Sequence, residues 1–470
     1  MKRLLPIPLA FGMLCAAFFS SMSVHAQQNL TLYGLNATPS ALYLNPGFVP
    51  HNKLYISVPL GFTSLSLNNS GFTLNDLLVK RSTDDSLEIR PDLAISKMKP
   101  INFLSMDVAS ELFGLGLKVR SHFFSVSAIL KTQFNVIYSK DLFRLINEGN
   151  GSSTFLGNTA DLSGLKVNMN AYMEYGLGYN RSINDKLTIG GRLKVLSGIA
   201  NIHTSRSEMK LYTNPVTYDI NLSGGYGINS SNAMYFSDST NQAKKTSELI
   251  ESPFSFKNVG LGIDLGATYK LTEKIELNAS IVDLGFITWK NNVQNYSSKE
   301  IDYTFKGVDI NSVLFDSMNV AKGLQDTLQK VFKNQSNNST YRTSLYTRFY
   351  VSGRYQLNKM VSANVIVCNQ LLESHNRMSL ALGTNIKLKN WLAMNVNYAA
   401  FGGSFGNIGL GFALKGGPLQ VYFASDNILN AFNMSKSKNM HYAFGINIAL
   451  KNKKEANGSN PEKKKESTAS

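Results

Sequence analysis

Strict two-residue alternation, sustained far beyond the length of an ordinary strand, constrains this chain more than any other feature. From Leu165 to Asn180 the odd positions read Leu165, Val167, Met169, Ala171, Met173, Tyr175, Leu177 and Tyr179. The even positions read Lys166, Asn168, Asn170, Tyr172, Glu174, Gly176, Gly178 and Asn180. Side chains of a strand point alternately to its two faces, so this stretch is one strand with an apolar face and a polar face. The pattern returns at Val259–Lys270, where Leu261, Ile263, Leu265 and Ala267 alternate with Gly262, Asp264, Gly266 and Thr268, and again at Met378–Leu388 and Met440–Leu450. Strands of soluble proteins run about 5–6 residues, whereas a tilted strand needs about 9–11 to cross a bilayer. The length points to strands that span a membrane.

The connections alternate too. Tight polar turns fall at Arg120-Ser121, Ser182 to Lys186, Thr272-Glu273-Lys274, Leu357-Asn358-Lys359, Lys389-Asn390 and Lys415-Gly416-Gly417. Wider connections fall near 65–100, 139–164, 204–257, 291–340, 372–376, 401–403 and 426–439. Short turns on one side and long loops on the other are the arrangement of outer-membrane barrels, whose short turns are periplasmic. The expected strands are 52–64, 101–119, 122–138, 165–180, 187–203, 258–270, 275–290, 341–357, 360–371, 377–388, 391–400, 404–414, 418–425 and 439–450. About fourteen strands, an even number, put both chain termini in the periplasm. The fold class read from the sequence is therefore all-β, a transmembrane antiparallel β-barrel, with helical turns in its outer loops. A soluble repeated sandwich would also alternate, but strand length and turn asymmetry argue against it.

The flanks assign the compartment. Lys2 and Arg3 precede an apolar run from Leu9 to Phe19, and Val24-His25-Ala26 supplies small residues for signal-peptidase cleavage, so residues 1–26 read as a signal peptide. Leu14 before Cys15 is not the small residue that a lipoprotein signal requires. Residues 27–51 precede the first strand and carry Asn45, Pro46 and Gly47 between short apolar runs; residues 52–450 form the barrel; the Lys-rich tail 451–470 lacks periodicity and reads as disordered in the periplasm. Cys368 alone remains after cleavage, so rigidity must come from a closed hydrogen-bonded sheet rather than a disulfide. The formal charge of +16 falls by two with Lys2 and Arg3. In an exported chain without a basic helix it points away from nucleic acid, toward lipid headgroups or anionic solutes. The expected surroundings are the lipid and lipopolysaccharide of a Gram-negative outer membrane.

Parity sorts charges to the inward face, because Arg or Lys at midplane on the lipid face costs about 2–4 kcal/mol. The inward set includes Lys118, Lys166, Glu174, Arg192, Lys194, Asp264, Lys270, Glu276, Arg348, Arg354, Arg377 and Lys387. Two readings stay open: an interior whose charges pair across the lumen, or one in which Arg192, Lys194, Arg348, Arg354, Arg377 and Lys387 select an anionic solute. The seventh strand is broken. Ile275, Leu277, Ala279 and Ile281 face lipid, a parity that would also place Asp283 there, but the alternation shifts at Val282-Asp283-Leu284-Gly285. A glycine beside a polar residue at a phase change suggests a kink at Asp283 and Gly285. Trp289 and Trp391, near strand ends, are expected in an interfacial aromatic belt. Among the loops, 139–147 and 313–333 have helical texture, the first with Leu142, Leu145 and Ile146 on one face.

Sites of chemistry are sparse. Gly402 to Gly406 matches Gly-x-Ser-x-Gly, but a nucleophile elbow needs a strand-to-helix turn and this one joins two strands. His51, His122, His203, His375 and His441 lack metal-ligand spacing. No enzyme, cofactor or metal function is expected. Asp followed by Ser or Thr and then an apolar residue or Thr, at Ser86, Ser239, Ser317 and Thr327, resembles a bacterial O-glycosylation signal.

With its hatch-like Asn45-Pro46-Gly47 and about fourteen strands, the chain resembles the long-chain fatty-acid transporter (FadL-like) barrels. Segment Asp283 to Trp289 is similar to one in uncharacterised Bacteroidota barrels related to that group and to PorV-type secretion barrels. The resemblance implies that residues 27–51 are an N-terminal hatch or plug inside the lumen, and that one strand is kinked. Gly47 stands where alanine is commoner, and the kink falls on the seventh strand rather than an early one. Two functions follow: passage of a hydrophobic or amphipathic, even anionic, small molecule gated by the hatch, or a plugged barrel whose outer loops bind a surface or secretion partner. The barrel itself predicts heat-modifiable mobility in gels. A water-soluble mature monomer without it would refute the fold.

Overall fold

In the computed structural model, the described residues are 29–49, 52–84, 86–233, 252–307, 334–372, 376–389, 391–401 and 404–450. The signal peptide, the tail 451–470, the segment 313–333, and Ser239, Ser317 and Thr327 lie outside them. No described helix is long and apolar enough to cross a membrane; the chain crosses with strands.

Fourteen antiparallel strands close on themselves. In chain order they are β1 (Leu54–Ser57 and Thr63–Asn69), β2 (Ile101–Val119), β3 (His122–Ser139), β4 (Lys166–Ser182) and β5 (Leu187–Ser207). Then come β6 (Val259–Lys270), β7 (Ile275–Trp289), β8 (Tyr341–Ser344 and Arg348–Gln356), β9 (Val361–Leu371) and β10 (Asn376–Leu388). The last are β11 (Leu392–Phe401), β12 (Ser404–Gly416), β13 (Leu419–Ser425) and β14 (Asn439–Leu450). Each pairs with its sequence neighbour, and β1 pairs with both β2 and β14, with Leu54 opposite Leu117 and Leu450. Closure leaves no row of unpaired strand edge in hydrocarbon, where each unsatisfied backbone group would cost several kcal/mol.

The outward residues are those the alternation assigns. Leu177, Leu193, Leu261, Val351 and Leu382 are exposed, while Asn180, Asn278, Ser352, Asn385 and Asn397 face inward and are buried. Three features differ from the expected strand map. The first strand extends to Asn69 after a break at Val58 to Phe62, where Leu60 takes φ 79°. Strand β5 extends to Ser207, and beyond it Tyr226–Ser231, Val293–Ser298 and Asn334–Asn337 carry the sheet past the membrane. A separate outer sheet joins Ile301–Phe305, Ile220–Gly224, Lys210–Thr213 and Thr159–Asp161. These short Asn- and Ser-rich segments become strands through partners far away in sequence, which local pattern does not reveal.

Two corrections concern side chains. Trp289 is fully buried and its indole Nε1–H donates to Thr343 Oγ1 at 2.9 Å. It is not part of an interfacial belt, because the extra residue at the β7 bulge reverses the parity beyond it; Trp391 does stand exposed. The helix α1 (Lys140–Glu148) forms where texture suggests, begun by the Ser139 hydroxyl accepting from Leu142 N–H. Its Ile146 is 76% exposed, however, and the contact with the barrel mouth comes from Phe143 against Tyr138 and Phe72.

Candidate functional site

Residues 29–49 run inside the barrel. A helical stretch of about one and a half turns covers Leu30–Leu35, and a 3₁₀ turn covers Pro39–Tyr43. Leu30, Leu32, Leu35, Ala41, Leu42, Leu44 and Phe48 form one buried cluster with wall residues such as Tyr350, Ile366, Phe401 and Tyr422. Tyr33 stacks on Tyr350 with centroids 4.8 Å apart, and burial pushes its hydroxyl up to about 12.

The polar inward face of the wall binds the backbone of this segment. The Asp426 carboxylate accepts from the N–H groups of Leu30 (3.2 Å) and Thr31 (2.8 Å). Arg354 donates to Gly34 O at 3.1 Å, Gln420 to Ala37 O at 3.1 Å and Ser280 to Leu44 O at 2.7 Å. Asn180 Nδ2 donates both to Pro46 O (2.6 Å) and to Phe48 O (2.9 Å). Asn45 closes its own turn, its Oδ1 accepting from Gly47 N–H at 2.8 Å. The wall behind this turn carries no side chain: a Cβ on Gly190 would sit 2.0 Å from Pro46 O, and one on Gly47 would sit 2.5 Å from Ala267 N.

Beside this segment lies a buried charge cluster centred on the β7 bulge. Asp283 has φ 60°, and the register between β6 and β7 shifts between Ile263 and Leu265. The shift turns Asp283 inward, where Lys194 Nζ (2.7 Å) and Lys131 Nζ (2.9 Å) meet its Oδ1 and Arg348 meets Oδ2 at 3.5 Å. Arg192 pairs with Asp264 (3.0 Å) and Glu174 (3.2 Å), and Lys194 with Asp264 (2.5 Å) and Glu174 (3.3 Å). Asp264 Oδ1 also accepts from the backbone N–H of Asp283 at 2.7 Å, fixing the bulge itself. Arg192 reaches the luminal segment, its guanidinium carbon 4.6 Å from the centroid of the Tyr43 ring. The Tyr43 hydroxyl donates to Glu111, and burial holds it well above the usual tyrosine range, so it remains a donor.

Two more of the cations named from parity, Arg354 and Arg377, are engaged as well. Arg354 lies 3.7 Å from Glu276. Arg377 donates to Ser105 Oγ (3.1 Å) and Asn135 Oδ1 (2.8 Å) and lies over Phe103. Lys387 sits apart from the cluster, half-buried near the short-turn end of β10. Sequence reading missed Lys131, Asp107 and Glu111. A signal for the last two existed in β2, whose parity changes at the register shift between Glu111 and Phe113. Ser86 lies beside the small outer hairpin of Leu78–Lys80 and Leu87–Ile89, its hydroxyl donating to Asp84 at 2.6 Å.

Above the luminal segment, on its outer side, the wall encloses a cavity of about 60 Å³ lined by Asn29, Tyr43, Asp107, Lys131, Gln133, Asp283, Arg348 and His441 among others. Gln133 leaves its buried side-chain oxygen without a hydrogen-bond partner there. A water needs about 10–15 Å³ by this measure, and drug-sized ligands occupy about 300–1,000 Å³. The chamber admits a few waters and no such ligand while the segment is seated. Among the described residues no group of His, Cys, Asp and Glu could hold a metal ion.

A closed cylinder of long strands, apolar outside and polar inside, with short turns at one end, defines an outer-membrane β-barrel. The chain belongs to a family of unknown function (DUF5723), whose model matches residues 46–426. No curated protein matches it. Similar solved structures include a FadL homologue of Pseudomonas aeruginosa, 10% identical over 87% of this chain and 93% of that one, with a TM-score of 0.42. The toluene transporter TbuX of Ralstonia pickettii is 12% identical over 88% and 94% (TM-score 0.39), and the toluene transporter TodX of Pseudomonas putida 10% over 91% and 93% (0.36). At such distances nothing about their cargo carries over.

Removing one member of a buried ion network strands its partners and costs about 3–5 kcal/mol. Asp264→Ala leaves Arg192 and Lys194 short of an anion and frees the bulge amide, so urea unfolding of the vesicle-inserted barrel should shift by about that amount. Asp92→Ala, in an exposed pair with Arg90, should shift it by less than about 1 kcal/mol.

Proposed function

We propose that this protein is a transport barrel for a hydrophobic or amphipathic small molecule, with residues 27–51 as a hatch gated from within. One observation carries this reading: the lumen is closed by a separate segment, held non-covalently through its backbone, rather than by side chains of the wall. A small barrel can fill itself with inward side chains; here Gly190 and Gly266 leave space that only Asn45-Pro46-Gly47 occupies. Each hydrogen bond to the segment contributes about 1 kcal/mol net, so releasing all of it costs on the order of 10 kcal/mol. Passage therefore uses a local shift of the segment rather than its expulsion. The Asp283 and Gly285 bulge, pinned by the three cations Lys131, Lys194 and Arg348, is the rigid side against which the hatch moves. Since Arg192, Lys194 and Arg348 already face carboxylates, an uncharged or weakly polar cargo suits the lumen better than a strong anion.

A second reading rests on the outer sheet around Ile220–Gly224, whose neighbouring turn exposes Val216 (82%) and Tyr218 (64%): a plugged barrel that displays this sheet to a surface or secretion partner. Ser86 glycosylation would belong to the same outer face.

Deleting residues 27–51 should convert a silent barrel into one with large single-channel conductance in planar bilayers. Unchanged conductance would remove the gating role. A hydrophobic molecule released on denaturing the natively purified protein supports transport, whereas a protein partner lost on trimming the outer sheet supports the second reading.

A further inference from the structure

The outer wall carries a depression that the transport reading does not use. Between Tyr179, Leu265, Ile281 and Phe349 the lipid-facing positions are small, Gly191, Ala267 and Ala279, and they leave an open apolar groove of about 600 Å³. A smooth barrel would put branched side chains at those positions. The groove lies near the short-turn end: Ile189 pairs with Arg181, and the β4–β5 turn follows directly. At about 3.3 Å per residue along tilted strands, this is the periplasmic half of a hydrocarbon core about 30 Å thick.

The rim beneath it is basic. Arg181 is exposed and has the outward parity of Tyr179, and Lys186, Lys274 and Lys359 are exposed on the three turns below the groove, against Asp185 and Glu273. Tyr179 is fixed as the groove's edge by His122, whose Nδ1 lies 2.8 Å from its hydroxyl, and by Phe124, 5.3 Å away between centroids.

We propose that this groove and rim form a binding site for one anionic phospholipid of the periplasmic leaflet, with an acyl chain in the groove and the headgroup phosphate at Arg181, Lys186 and Lys274. Apolar volume at acyl depth and cations at headgroup depth coincide on one arc of the wall, strands β4 to β8. The lipid also backs the wall where Asn45-Pro46-Gly47 rests, since Gly190 and Gly266 border both the groove and the turn.

The test is native mass spectrometry of the mature chain after reconstitution in equal phosphatidylglycerol and phosphatidylcholine and detergent extraction. One retained phosphatidylglycerol is expected. Gly191→Leu with Ala279→Leu fills the groove and should abolish retention; a Cβ at Gly191 meets nothing nearer than 3.4 Å, so the barrel tolerates it. Arg181→Gln with Lys274→Gln should cut the preference for phosphatidylglycerol by about fivefold per cation, and Lys389→Gln, on the β10–β11 turn of the same rim but outside the β4–β8 arc, should leave it unchanged. Heat-modifiable mobility checks that each variant is folded. No retained lipid in the wild type, equal retention of both lipids, or retention unchanged by either double variant would overturn the proposal.

Discussion

Hydrocarbon offers a backbone nothing to bond to, and that constraint governs the whole molecule. Every strand must find a partner on each side, so β14 has to meet β1 and the sheet has to close. Closure then divides the side chains by parity into a lipid set and a lumen set. The lumen of a barrel this wide is not filled by its own Asn, Ser and Gly residues. It takes up residues 29–49, which reach the strands through backbone groups that would otherwise be buried without partners.

The bulge at Asp283 shows how one extra residue organises a neighbourhood. It interrupts the ladder, sends Asp283 into the lumen, opens β8 between Ser344 and Arg348, and reverses the parity so that Trp289 turns inward. An aspartate there would be costly alone. With Lys131, Lys194 and Arg348 around it, and Glu174 and Asp264 balancing Arg192, it becomes the fixed point of the inner surface. Arg192 links that fixed point to Tyr43 of the luminal segment.

The barrel was legible because its code is local. Period-two alternation and turn spacing located strands β2 to β14 within a few residues, and inward parity picked out Arg192, Lys194, Glu174 and Asp264 before any partner was known. Even the break at Asp283 to Gly285 was visible as a change of phase. What parity alone did not reveal was its consequence for Trp289, and the phase change near Glu111 passed unnoticed along with Lys131. Segments such as Thr159–Asp161 and Tyr226–Ser231 were hidden for another reason: each is short and stabilised by a strand distant in sequence.

By itself, then, the sequence determined which residues face lipid, how many strands cross, and that the charges belong inside, because each of these follows from one strand's own periodicity. Only the tertiary structure decided how those charges pair and where Asn45-Pro46-Gly47 lies. It alone placed small residues on β5, β6 and β7 side by side, making a groove outside and a seat inside. Those are relations across strands, set by register and shear. No single strand contains them.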